Sequence, residues 1–172
     1  MKTKINFFSL LLFSFLSSAA FAEPELSLQG EGTYRWWGIK VYDAKLYVSP
    51  DFSGDALTSK PLALEIIYDI DIDKKDLVET TEEEWDELKI SKTEQCKSRK
   101  QWAEKLLEIW PNLEQGDKLK FNVYQDGQSE FFYNNDSVGV IDDKNFAPCF
   151  LAIWLAEDTS ASSLRRSLLN RS

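Results

Sequence analysis

The spacing of apolar positions changes period several times along this chain, and each change marks an element. Leu26 and Leu28, alternating with Ser27 and Gln29, open a short strand, and Gly30-Glu31-Gly32 predicts a turn or bulge. Thr33–Trp37 reads as a second strand, rich in β-forming residues. In Ile39–Val48, Tyr42, Ala44, Leu46 and Val48 share one face, while Asp43, Lys45 and Tyr47 share the other. That period of two marks a half-buried strand. Ser49-Pro50-Asp51 breaks it, and a polar loop follows to Lys60. Leu62–Tyr68 is the next strand, with Leu62, Leu64, Ile66 and Tyr68 on one side.

The period then becomes helical. Leu77, Val78, Thr81, Trp85 and Leu88 fall on one face between Asp73 and about Lys89, with Asp71 or Asp73 as the N-cap. After a polar link, Trp102, Ala103, Leu106, Leu107 and Trp110 form the stripe of a second helix, which Pro111 stops. Strands return at Lys118–Tyr124, Glu130–Tyr133 and Val138–Ile141, separated by turns at Asp126-Gly127 and Asn134-Asn135-Asp136. The segment from about Asn145 to Leu155 is apolar nearly all round, which predicts a buried helix. Asp158, Thr159 and Ser160 offer N-cap oxygens for a last short helix carrying Leu164 and Leu168.

Strands and helices thus come in segregated runs. That order favours an α+β fold, with helices covering one face of an antiparallel sheet. The other face is left to water or a ligand.

The N-terminus reads differently from the rest. Lys2 and Lys4 precede an apolar run of about 12 residues, Ile5 to Leu16, and small residues lead to Ala20-Phe21-Ala22. This is the pattern of a secretory signal peptide over residues 1–22, too short for a span that needs roughly 20 apolar residues. Cleavage would leave residues 23–172 as one domain, with no stable membrane anchor and a destination outside the cytoplasm, in a periplasm. Losing Lys2 and Lys4 takes the formal charge from −9 to −11, since every acidic residue lies after Ala22. So acidic a chain is repelled by nucleic acid and by anionic membrane surfaces, which argues against both as partners. Six Trp, six Tyr and six Phe remain after Ala22. They serve either core packing or a pocket lined with rings.

Cys96 and Cys149 are an even pair in a chain with an export signal, which permits one disulfide. Two buried free thiols are the alternative, because spacing alone does not place their α-carbons. The chain has no histidine, which removes His-based triads and His-ligated zinc. No nucleophile elbow or phosphate-binding glycine loop is present. Asp69, Asp71 and Asp73 fail as a calcium loop, since Lys74 and Thr80 stand where glycine and a bidentate glutamate are needed. No metal, cofactor or catalytic residue is indicated. Arg35, set among Tyr34, Trp36 and Trp37, can hold a carboxylate or stack on a ring. On a strand it shares a face with Trp37, while Tyr34 and Trp36 share the other.

Two blocks carry a family resemblance. Thr33–Tyr47, TYRWWGIKVYDAKLY, and the C-terminal order F-A-x-x-F-x-x-I-W-L, D-T-S, L-R-x-x-L-L resemble bacterial exported chalcone-isomerase-like proteins. Together with LALEIIYDIDI the resemblance spans nearly all of residues 23–172. It implies an open-faced sandwich, an antiparallel β-sheet backed by a layer of α-helices, with a ligand cleft between the layers. The plant isomerases' catalytic set does not carry over. Trp37 stands at the threonine position, no arginine lies in Glu23–Gly30, and Asp73 and Thr80 stand where tyrosine and asparagine are expected. Fatty-acid-binding relatives hold the carboxylate with an arginine and a tyrosine. By analogy Arg35 with Tyr42 or Tyr47, beside Trp37, would form the ligand site.

Two functions follow as expectations. One is a non-catalytic exported module binding a small apolar or amphipathic molecule such as a fatty acid. It requires a mostly apolar cavity of roughly 300 Å3 or more, not filled by Trp37, Trp85 and Phe150. The other is a structural or protein-interaction component of the cell envelope, with a packed interior and an exposed apolar patch. An isomerase acting on another substrate ranks third.

Overall fold

The computed structural model describes residues 25–171. The secretory pattern over residues 1–22 lies outside them. Six strands form one antiparallel sheet in which each strand pairs with its sequence neighbours. They are β1 (Ser27–Trp36), β2 (Ile39–Val48), β3 (Leu62–Tyr68), β4 (Lys118–Val123), β5 (Ser129–Tyr133) and β6 (Asp136–Ile141). Helices α1 (Lys74–Glu87) and α2 (Arg99–Ile109) join β3 to β4, and α3 (Phe146–Leu155) and α4 (Ser162–Leu168) follow β6. The fold class is α+β, an open-faced sandwich.

The alternation read from the sequence sets the two faces of the sheet. Ala44, Leu46, Leu62, Leu64, Ile66, Leu119, Phe121 and Val123 are buried beneath the helices. The opposite face carries Lys45, Glu65, Lys118 and Lys120. It includes a Lys118–Glu65 ion pair at 3.6 Å, so it faces water. On the covered side, Phe121, Phe131, Phe146 and Phe150 pack as tilted, edge-to-face and stacked rings 4.9–6.1 Å apart. Helix α3 is buried along its whole length except Pro148. That proline stands in the first turn, where its missing N–H costs no intrahelical bond. No helix among the described residues is long and apolar enough to cross a membrane.

Three local expectations need correction. Of the turn or bulge read at Gly30-Glu31-Gly32 the structure has the bulge, and the strands read on either side are one. β1 runs through all three residues with a bulge at Gln29, and the glycines serve packing, since a Cβ on Gly30 would overlap the Ser167 and Leu168 carbonyls of α4. Trp37 is no strand residue. With Gly38 it forms the two-residue turn between β1 and β2, both at positive φ (49° and 83°), the geometry that suits right-twisted strands. Asp158, Thr159 and Ser160 do not cap α4, which starts at Ser162 after Ala161. Their side chains bind the Lys89 N–H, the Ile153 carbonyl with the Ala161 N–H, and Glu84 respectively.

A disulfide joins Cys96 to Cys149, with Cα atoms 5.9 Å apart and both residues fully buried. It ties the link between α1 and α2 to α3. Beside it the Trp85 indole N–H donates to the Cys149 carbonyl at 2.9 Å, so the buried ring has its polar atom satisfied.

Candidate functional site, a tyrosine-floored cleft

Cross-strand register places three tyrosines in a row on the covered face. Tyr34 of β1 stands opposite Tyr42 of β2, and Tyr42 opposite Tyr68 of β3. Tyr34 and Tyr42 stack with centroids 5.1 Å apart, and Tyr42 meets Tyr68 edge-on at 5.8 Å. A second bulge, at Val41 opposite the Tyr34/Arg35 step, brings Val41 to the same cavity as Tyr42. Ile66 and Leu119 complete the sheet side. Above them lie Leu77, Thr80 and Thr81 of α1, and Phe150, Ile153 and Trp154 of α3. The enclosed space is a cleft of about 530 Å3, within the range of small-molecule sites.

Polar groups in the cleft fall into two sets. Inside, the Trp154 indole N–H donates to the Tyr42 hydroxyl at 2.9 Å. Burial pushes the Tyr42 hydroxyl far above the usual tyrosine range, which that hydrogen bond opposes without cancelling. Burial alone raises Tyr68, and burial followed by the Glu84 charge raises Tyr34. All three phenols are therefore neutral donors near pH 7. The second set is acidic: Asp71, Asp76, Glu83 and Glu84 line the cleft. Glu84 accepts from the Ser160 hydroxyl at 2.8 Å and Asp71 from the Gln115 N–H at 2.8 Å. Among the described residues no lysine or arginine lines the space.

Of the four ligand candidates, the structure brings only Tyr42 to the cleft. Arg35 is exposed and donates from Nη1 to the Gly38 carbonyl at 3.2 Å, across its own hairpin turn. Trp37 is 86% exposed at the tip of that hairpin. Tyr47 lies on the opposite sheet face, its ring 6.0 Å from Lys120 Nζ. The physical reason is strand parity, since Arg35 and Tyr47 point away from the side that the helices cover. Trp85 and Phe150 pack in the core and leave the cleft open. The residues that sequence reasoning missed are Tyr34, Tyr68 and the acidic rim. Alternation puts Tyr34 and Tyr68 on definite faces of their strands, but pairing them with Tyr42 takes the register.

An antiparallel sheet, a helical layer on one face and an apolar cleft between them define the open-faced sandwich class. The chain belongs to the chalcone isomerase-like family, whose sequence profile it matches over residues 13–170. It is 26% identical over 172 residues to an uncharacterized protein of Haemophilus influenzae, covering 99% of this chain and 79% of that one. Its fold is similar to that of a fatty-acid binding protein of Arabidopsis thaliana. There the TM-score is 0.65 at 10% identity, over 84% of this chain and 87% of the plant chain.

Proposed function

We propose that the protein is a non-catalytic ligand-binding module that holds one small apolar or amphipathic molecule between sheet and helices. The carrying observation is the cleft of about 530 Å3 with a tyrosine floor and a largely apolar roof. Family membership and the fatty-acid binding neighbour support ligand binding as the role of that space. Fatty acid as the ligand takes its support from that neighbour's description alone, and a shared fold is weak warrant for a shared ligand. We also propose that it works outside the cytoplasm, in a periplasm. The Lys2–Ala22 pattern and the buried Cys96–Cys149 bridge support this, because disulfides persist in oxidising compartments.

The test is mass spectrometry of small molecules extracted from protein purified without detergent from a periplasmic fraction, beside a Leu77→Trp variant that fills the cleft. The expected result is a stoichiometric organic molecule in the wild type, absent from a folded Leu77→Trp protein. A wild type that carries nothing and takes up no added apolar probe would overturn the reading.

A second reading, a protein-interaction component of the envelope, draws on the exposed hairpin tip, where Trp36, Trp37 and Ile39 are 61%, 86% and 60% accessible. A photo-crosslinking side chain at position 37 in living cells should then give one discrete adduct. A smear or no adduct removes this reading.

A further inference from the structure

Two marks on the lining of the cleft bear on the kind of guest it would hold. The first is Tyr68. It is 4% exposed, lines the cleft, and its hydroxyl makes no hydrogen bond to any described residue. Its oxygen is not one of the fully buried unpaired polar atoms, so the phenol opens onto the cleft, a space large enough for a guest. Its neighbour Tyr42 shows the contrast, since Trp154 already satisfies that hydroxyl.

The second mark is the sign of the lining. Asp71, Asp76, Glu83 and Glu84 border the cleft, and none of them is in an ion pair among the described residues. The nearest candidates for neutralising them are engaged or turned elsewhere. Lys40 is held between Asp43 and Asp69 at 2.7 Å each, and Arg35 serves its own turn. Glu84 is half-buried, where its charge is screened less than on open surface. Tyr34 and Trp36 add aromatic faces to the same lining. Carboxylates beside electron-rich rings attract an organic cation and repel a carboxylate.

We propose that the cleft takes a cationic amphiphile, an apolar chain or ring system ending in an ammonium group, and disfavours a fatty-acid carboxylate of the same size. The ammonium sits among Glu83, Glu84, Tyr34 and Trp36, and the apolar body lies over Tyr42 beneath α1 and α3. This rests on the binding reading above and gives it a ligand class.

The experiment measures binding of three probes with one tail, dodecylammonium, dodecanol and dodecanoate, below their micelle concentrations at neutral pH and low salt. Dodecylammonium should bind more tightly than dodecanol, and at least about tenfold more tightly than dodecanoate. In Glu83→Gln/Glu84→Gln, dodecylammonium should lose about tenfold while dodecanol is unchanged. The Glu94→Gln/Glu104→Gln protein carries the same charge change on exposed positions outside the cleft and should bind like wild type. Equal loss in both double variants would show attraction to net charge alone and overturn the proposal. Dodecanoate binding as tightly as dodecylammonium, or dodecanol matching it, would also overturn the proposal while leaving the binding module intact. Failure of all three probes to bind would sink the binding reading itself.

Discussion

At the scale of single residues, the floor of the cleft was half legible. The period of two in Ile39–Val48 and Leu62–Tyr68 put Tyr42 and Tyr68 on the inward faces, and both line the cleft. Arg35 is conspicuous in the sequence as a charge among rings, yet it is exposed and serves its own hairpin turn. Parity had already grouped Tyr34 with Trp36, but nothing in the sequence says which of two alternating faces the helices will cover. The tyrosines also differ in a way only coordinates reveal, since one hydroxyl is paired and one is not. Tyr42→Phe strands the Trp154 N–H in a buried setting and should cost about 1–3 kcal/mol. Tyr68→Phe deletes a hydroxyl with no partner among the described residues and should stay within about 0.5 kcal/mol of wild type. Urea denaturation of the two variants decides. A large loss for Tyr68→Phe would mean that its hydroxyl has a partner in the free protein.

At the scale of elements, most helices and strands stand where the sequence puts them, and the tertiary contacts at their ends are what it does not show. α1, α2 and α3 stand where the apolar stripes put them. Asp73, one of the two residues the sequence offers, is the N-cap of α1, but its side chain makes no capping bond, and the Lys74 N–H is taken by Asn112, just past the end of α2. That tertiary contact joins residues 38 apart and leaves no local trace. The glycines of β1 are the sharper case. Gly-x-Gly after a short apolar run ordinarily signals a turn. Here it lets a strand lie flush against α4, with the Leu164 and Ser167 side chains over Gly32 and two carbonyls over Gly30. Gly30→Ala should therefore lift α4 and cost roughly 1–3 kcal/mol, the usual penalty of overpacking. Amides of Arg165–Leu169 should exchange faster in that variant than in wild type. An alanine tolerated without loss of protection would show that α4 is held by other contacts.

For the molecule as a whole, one covalent tie couples the helical layer to the cleft. The sequence offered Cys96 and Cys149 as either a bridge or two thiols, because a separation of 53 residues says nothing about distance. Folding brings the two together by laying α3 beside the turn that follows α1. The same α3 carries Phe150, Ile153 and Trp154 into the cleft, so whatever loosens α3 loosens the roof of the cleft. Closing a loop of this length restricts the unfolded chain by roughly 4 kcal/mol in the entropy model, a large share of a typical total of about 5–15 kcal/mol. Reduction, or Cys96→Ala/Cys149→Ala, should lower stability by about that amount. It should also steepen the urea dependence, because the unbridged denatured chain exposes more surface. The protein would then reach full stability only where thiols are oxidised. Urea curves of the oxidised and reduced protein, with binding of an apolar probe followed alongside, separate two effects. A stability loss with probe binding unchanged would make the bridge a staple for the chain alone. Loss of both at the same urea concentration would show that the bridge holds the roof over the cleft.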